Sequence, residues 1–290
     1  MAVTAQLVKK LRERTGAGIL DSKKALESSN GDIEKAIEFL KEKGQAKAAK
    51  KAGRISAEGL VSTIENSNSA VIVEINSETD FVSKNAQFQK LVKDITEALL
   101  SSDFNNDEEA SKIKVDGKTI EELCINATAT IGEKISFRRA SKFIAKDNEV
   151  IGSYTHANGQ IASLVLLKGS NKEAAKNVAM HIAAMNPDFL NAESMPKEKI
   201  EEFKKEILKE MVGIDKPDNI KEKMAEGKLR KVLSELTLID QEFVMEKMSV
   251  GKYLQGKSLE AKEMIRFEVG EGIEKQETDF AAEVASQMKK

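Results

Sequence analysis

Eight residues spell the phosphate-binding pattern GxxxxGKS: Gly251-Lys252-Tyr253-Leu254-Gln255-Gly256-Lys257-Ser258. In a working P-loop, backbone amides and the lysine cradle phosphates between a buried strand and a helix. The flanking sequence argues against that use. Glu246–Val250 is too polar for a buried parallel strand, and Ser258–Met264 leaves only about two helical turns before β-forming residues resume. Only 32 residues follow Ser258, too few for a parallel sheet and a metal-binding aspartate. A nucleotide-hydrolysing protein using Gly256, Lys257 and Ser258 is still a definite rival: the isolated chain would bind nucleotide, and Lys257→Ala would abolish that binding. Gly270-Glu271-Gly272 is a lone GxG and a weaker signal.

The remaining chemistry-bearing residues are few. Two histidines and one cysteine give no zinc-site spacing, so no metal, cofactor or catalytic group is expected. His181 lies beside the apolar face of a predicted helix and reads as structural. His156 ends a predicted strand before a turn, where it is free to meet a partner. Cys124, flanked by Leu123 and Ile125, reads as a buried thiol.

A different kind of signal comes from Thr79-Asp80-Phe81-Val82-Ser83-Lys84-Asn85, a polar stretch with a large aromatic at its centre. Burying a Phe is worth about 1.5–3 kcal/mol, so one placed at a loop tip suggests a partner that buries it. The alternative is local: Asp80 caps the following helix and Phe81 staples that helix to the sheet. Residue types alone leave both open.

These residues depend on the elements around them. Leu7, Val8 and Leu11 mark a first helix, interrupted by Thr15-Gly16-Ala17-Gly18. A second is expected from Asp21 to Ser28. A third starts behind Asp32 as N-cap, carries Ile33, Ala36, Ile37 and Leu40, and stops at Gly44. Gln45–Arg54 then reads as a linker. Gly59–Ile64 and Ala70–Ile75 predict a hairpin, followed by a loop over Asn76–Asn85 and a helix carrying Phe88, Leu91, Val92, Ile95 and Leu99. A helix over Ile120–Ile131 and a strand over Ile135–Ile144 complete this set. The pattern then recurs: Val150–His156 and Gln160–Leu167 form a second hairpin across Ala157-Asn158-Gly159, and a helix with Ala175, Val178, Ala179 and Ile182 on one face follows.

Asn186-Pro187 closes that helix. Lys197–Met211, with Ile200, Phe203, Ile207 and Met211 in a seam, and a return helix capped by Asp218 predict a protruding, coiled-coil-like helical hairpin. Such an arm needs a partner surface, and a homodimer is one solution. A β-like run at Met264–Val269 and a helix over Asp279–Met288 end the chain. The fold class is therefore α+β: an N-terminal three-helix bundle with its linker (1–54), two related α+β core subdomains (55–140 and 141–263, the second carrying the arm at about 187–230), and a C-terminal module (264–290).

Composition narrows the function classes. The chain has 290 residues, 40% hydrophobic and 32% charged, with no apolar run near the roughly 18 residues of a membrane span. The N-terminus mixes Leu and Val with basic residues, unlike a signal peptide, and the single cysteine suits a reducing compartment. A soluble cytoplasmic protein is expected. Residues 1–54 hold 13 Lys/Arg against 7 Asp/Glu, leaving −8 for the rest of a chain whose total is −2. A basic head on an acidic body suits docking to an acidic surface. RNA binding through Lys47, Lys50, Lys51 and Arg54 is the second rival, although aromatics make up only 4% and Trp is absent.

The segment TDFVSKN is similar to the signature of the bacterial elongation factor Ts family. So are Leu11–Gly18 continuing into Asp21–Leu26, the run Ile265–Ile273 followed by Glu277–Glu283, Tyr154-Thr155-His156 and Ala179-Met180-His181. The matches are ordered along the whole chain. The resemblance implies a ubiquitin-associated-like first domain, a two-part core, an inserted helical hairpin and a C-terminal helix. It implies a guanine nucleotide-exchange factor, not an enzyme, that binds elongation factor Tu carrying GDP and magnesium and promotes GDP release. In that family the loop matching Thr79–Val82 reaches the nucleotide domain of the partner, so Phe81 would wedge beside the magnesium site with Asp80 positioning the loop. Further partner contacts are implied for Arg12, Lys23 and Lys51 in the basic first domain, for His156 in the second core half, and for Asp279 and Phe280 at the C-terminus. No membrane and no direct nucleic-acid contact is implied. Ser83 stands where Ala is common and Ser22 where some members have Cys; residues 101–118 match poorly and take no role.

Overall fold

A computed structural model describes residues 3–212, 214 and 216–274. The expected helix over Asp279–Met288, with Asp279 and Phe280, lies outside the described residues. No helix among them is long and apolar enough to cross a membrane.

The chain divides into two compact units. The first comprises the described parts of Met1–Ser62, Val73–Ala140 and Glu268–Lys290; the second comprises Thr63–Ile72 and Ser141–Phe267. The first unit opens with helices α1 (Ala5–Thr15), α2 (Ile19–Ser28) and α3 (Ile33–Lys51). Their core is Leu11, Ala25, Leu26 and Ala36, with Leu7, Val8, Ile33, Ile37 and Leu40 packed around it. Thr4 caps α1, and Asp32 caps α3 by accepting the amides of Glu34 and Lys35. The helix α2 starts at Ile19, earlier than the sequence suggests, behind Gly18 as an N-cap that gives no side-chain bond.

Two expectations fail at α3. Gly44 does not stop the helix, and Gln45–Lys51 is not a linker: α3 runs through both. Gly44 is there for close approach, because a Cβ at this position would lie 2.9 Å from the Ala129 Cβ of the helix α6 described below. Helix-favouring Ala and Lys then carry the helix on to Lys51.

The first hairpin is β1 (Glu58–Glu65) and β2 (Ser69–Ser77), followed by a 3-10 turn at Val82–Lys84 and α4 (Ala86–Leu100). Phe88, Val92, Ile95 and Leu99 of α4 are buried, the stripe that the 3.6-residue period predicts. The poorly matching region 101–118 holds a short helix, α5 (Asp107–Ser111), and part of a small hairpin, β3 (Lys114–Val115) with β4 (Lys118–Thr119). Helix α6 (Ile120–Ile131) follows, closed at its start by a capping box of Thr119 and Glu122. Strand β5 (Ser136–Ile144) joins the sheet in the order β1-β2-β5.

In the second unit β6 (Glu149–Thr155) pairs antiparallel with β7 (Ile161–Lys168), Glu149 opposite Lys168 and Thr155 opposite Ala162. Helix α7 (Lys172–Met185) covers this hairpin, with Ala175, Val178, Ala179 and Ile182 against Val165 and Leu167. Helices α8 (Lys197–Glu210) and α9 (Asp218–Leu236) form the arm, linked by Lys228–Glu210 at 2.6 Å. Asp218 is the first helical residue of α9 and not its cap; Pro217 holds that position. A further helix, α10 (Val250–Gly256), precedes β8 (Glu260–Glu268). Neither α10 nor the early start of β8 is visible from periodicity, since β8 alternates charged and apolar residues weakly. The second sheet has the order β6-β7-β8. In both sheets the returning strand lies beside the second strand of the hairpin, a likeness beyond the repeated hairpin and helix read from the sequence.

Candidate functional site

Strand β2 is buried along its whole length and ends at Ser77, where the chain turns toward solvent. The turn is pinned at every step. The Glu78 carboxylate accepts the Lys134 amide at 2.6 Å and the Arg54 guanidinium at 3.0 Å. Burial alone would raise the Glu78 pKa, but these two donors outweigh it and hold the carboxyl below its usual value. Thr79 donates twice to Glu133, from its amide at 2.9 Å and its hydroxyl at 2.8 Å. The Ser77 hydroxyl donates to the Thr79 carbonyl at 3.0 Å. Downstream, the Ser83 hydroxyl donates to the Asp80 carbonyl at 2.6 Å, and Gln89 donates to the Ser83 carbonyl at 3.1 Å. Asn85 caps α4 by accepting the amides of Gln87 and Phe88.

Between these fixed points Val82 turns inward and is buried, while Phe81 points out and is 78% exposed. That excludes the local reading of the loop. Asp80 does not cap α4, because Asn85 does, and the apolar side chain that anchors the loop is Val82 and not Phe81. Thr79 is half-buried and Asp80 is exposed. The four residues singled out from sequence thus occur in one rigid turn, with the aromatic presented to solvent at its apex. Glu133 and Glu78, which hold the turn, are not singled out by the sequence, and Arg54 is singled out there only for RNA binding. Only the run of two donors at Thr79 and an acidic residue more than fifty positions away could have signalled the clamp.

A second polar cluster lies along β2. Glu74 is fully buried, yet its carboxylate meets Arg138 at 2.8 Å, Arg139 at 2.6 Å, the Asn76 amide at 3.0 Å and the Gly270 backbone amide at 2.8 Å. Burial raises the Glu74 pKa, and the four donors more than reverse it. Arg139 also reaches the Glu271 carboxylate at 3.2 Å. Gly270 has φ 74°, and a Cβ there would lie 2.1 Å from the Ala57 carbonyl oxygen. The Gly-Glu-Gly run is therefore an anchoring turn and not a phosphate site.

The other residues singled out from sequence lie elsewhere. Arg12 on α1 donates to the Ala17 carbonyl at 3.3 Å, and Lys23 on α2 pairs with Glu27 at 3.8 Å. Lys51 on α3 donates to the Gly132 carbonyl. Between Arg12 and Lys23 in sequence, Ile19 and Leu20 are 59% and 74% exposed, an apolar surface that the sequence reading overlooked. His156 lies in the second unit, exposed, with its Nδ1 2.8 Å from the Asn158 side-chain oxygen. His181 is fully buried between Gln241 at 2.9 Å and the Val244 amide at 3.3 Å, and burial lowers its pKa. Burial pushes the Cys124 thiol up to about 12, so it is no nucleophile. No cluster of His, Cys, Asp or Glu fit to hold a metal occurs among the described residues.

The P-loop spelling is not a loop at all. Val250–Gly256 is helix α10, capped by Ser249. The Gly251 amide donates to the Ile239 carbonyl at 2.8 Å and the Tyr253 amide to the Ser249 carbonyl at 3.0 Å. Amides engaged in this way cannot converge on a phosphate. The Lys257 ammonium lies 5.7 Å from the centre of the Tyr253 ring.

The family model described as Elongation factor TS matches residues 78–271. Proteins named elongation factor Ts are similar over nearly the whole chain. The one from Mycoplasmopsis pulmonis is 56% identical over 99% of this chain and 98% of its own length. Those from Metamycoplasma arthritidis and Pediococcus pentosaceus are 49% and 48% identical, covering 100% and 99% of both chains. With matched residues that begin at the pinned turn and end at the Glu74 anchor, the chain belongs to the elongation factor Ts family.

Proposed function

We propose that this protein promotes GDP release from elongation factor Tu by inserting Phe81 beside the magnesium site of that partner, with Thr79, Asp80 and Val82 holding the loop. It performs no chemical step of its own. The observation that carries the reading is a Phe left 78% exposed at the apex of a turn whose other residues are pinned by hydrogen bonds. A side chain presented on a rigid frame loses little entropy on docking, so most of the ~1.5–3 kcal/mol from burying it is available to the complex.

Exchange follows from linkage. If the docked protein stabilises a nucleotide pocket distorted by the wedge, it weakens GDP binding by the factor by which GDP weakens docking. Broad contacts elsewhere offset the local strain. Arg12 and Lys23, with the exposed Ile19 and Leu20, supply one such contact from the N-terminal bundle, and His156 one from the second unit. Lys51 gives one donor to the Gly132 carbonyl and keeps others for a contact with the partner. The RNA-binding rival is weakened by composition: aromatics make up only 4% of the chain and Trp is absent, so there are few stacking platforms for bases.

Release of a fluorescent GDP analogue from elongation factor Tu tests the reading. Acceleration by sub-stoichiometric protein, lost in Phe81→Ala, is expected. Equal rates for Phe81→Ala and the unaltered protein would sink the wedge.

A further inference from the structure

Helix α3 carries Lys41, Lys43 and Lys47 where it passes α6, and β4 brings Lys118 to the same place. Together they line a cavity of about 430 Å³ within the first unit, in the size range of small-molecule sites. Asp21 is the only carboxylate in its wall, so these lysines leave a surplus of three positive charges. Arg14 also borders the cavity, but Glu34 neutralises it at 2.6 Å.

The lysines are of two kinds. Lys43 and Lys47 share Asp21, one on each carboxylate oxygen, at 2.8 and 2.9 Å. The two hydrogen bonds, Lys43 first, pull the Asp21 carboxyl down to about 2, so it is charged throughout the physiological range. Each ammonium has three donors and gives one to Asp21, which leaves others for an incoming acceptor. Asp21 thereby holds both ammoniums at the cavity wall. Lys41 and Lys118 are exposed and have no ion-pair partner among the described residues. Gly18, also in the wall, opens α2 without a side-chain cap, so the amides of its first turn add to the positive field. Ile37 and Leu40 of α3 also line the cavity, alongside the lysines.

Lysines and apolar side chains on one helix suit a ligand that carries both phosphates and a base. We infer that this cavity binds a nucleoside polyphosphate, its phosphates among the four lysines and its base against Ile37 and Leu40. The site is separate from the Phe81 loop and from Lys257, and does not depend on the exchange reading.

The test is titration of the full chain with fluorescent GDP and ATP analogues, in the absence of elongation factor Tu, at low and high ionic strength. Saturable binding that weakens with salt is expected. Lys41→Ala combined with Lys118→Ala should reduce affinity about tenfold or more while leaving the melting temperature unchanged, because both side chains are exposed. Lys118→Glu repeats the test with a single exposed change. Lys257→Ala should bind as the unaltered protein does. Absence of saturable binding overturns the inference. So does affinity that survives the lysine substitutions, or affinity lost in Lys257→Ala. Pyrophosphate should compete more weakly than nucleotide; equal potency overturns the assignment of a base contact.

Discussion

Two segments of this chain carry a short motif that promises function, and they use it in opposite ways. Around Phe81 the polar residues are consumed by the frame: Thr79 by Glu133, Ser83 by Asp80, Glu78 by Lys134 and Arg54, with Phe81 left outside. Around Tyr253 the arrangement is inverted. The aromatic is buried, its ring 4.3 Å from that of Phe243 and its hydroxyl 3.3 Å from the Asn177 side-chain amide, while Lys257 remains at the surface. What distinguishes a site from a lookalike is which residue the frame leaves unsatisfied. The first amides of α10 go to Gln241, Ile239 and Ser249, so they have no donors to offer a phosphate, whatever the letters spell.

That contrast can be broken at either end. The largest effect is expected from Tyr253→Ala, which empties a core position and should cost about 3–5 kcal/mol of unfolding free energy by denaturant titration. Its exchange activity per folded molecule should stay near that of the unaltered protein. Phe81→Ala should do the reverse. Melting temperature holds, while the stimulated GDP release rate falls by about 2–4 kcal/mol in barrier terms, roughly 30- to 700-fold. If Phe81→Ala instead lowers stability as Tyr253→Ala does, the exposed-apex picture is wrong.

Glu133→Gln sharpens the comparison by loosening the frame without touching the apex. Replacing a charged acceptor by a neutral one should lose about 1 kcal/mol, seen as a roughly fivefold slower exchange. Unchanged exchange would mean that the two bonds to Thr79 do not matter for presentation. The pH dependence of the frame has a definite sign. The folded-state pKa of Glu78 is lowered, so its stabilisation is present above the unfolded value of about 4.3 and is lost as pH falls through the folded value. The stability difference between the unaltered protein and Glu78→Gln should therefore shrink on acidification through that range, and a gap that widens there would contradict the assignment. The smallest effect is expected from Lys257→Ala: about 0.5 kcal/mol or less in stability and none in exchange, because only an exposed contact with the Tyr253 ring is lost.

Much of the fold could be read directly. Phe88, Val92, Ile95 and Leu99 locate α4 because helical period is expressed within a few consecutive turns. The bounds Ile120 and Ile131 of α6 follow from its capping box and from Gly132 behind it. The two hairpins follow from β-forming runs on either side of short polar turns. Helix α10 was missed for the matching reason: seven residues are too few to show a period. Gly44 misled because a glycine that ends a helix and a glycine that lets two helices touch are written with the same letter.

Composition, the order of the longer elements, the repeated hairpin-and-helix pattern and the family were thus determined by the sequence itself. The exposure of Phe81, the clamp on Thr79 and the buried Glu74 were decided by tertiary structure alone. Glu133 lies 54 residues from Thr79, and the Gly270 amide lies 196 residues from the Glu74 carboxylate it satisfies. Local periodicity carries no information at such separations. A buried charge finds its partners only when strands distant in the chain are brought together, and an aromatic is exposed only by what fails to cover it.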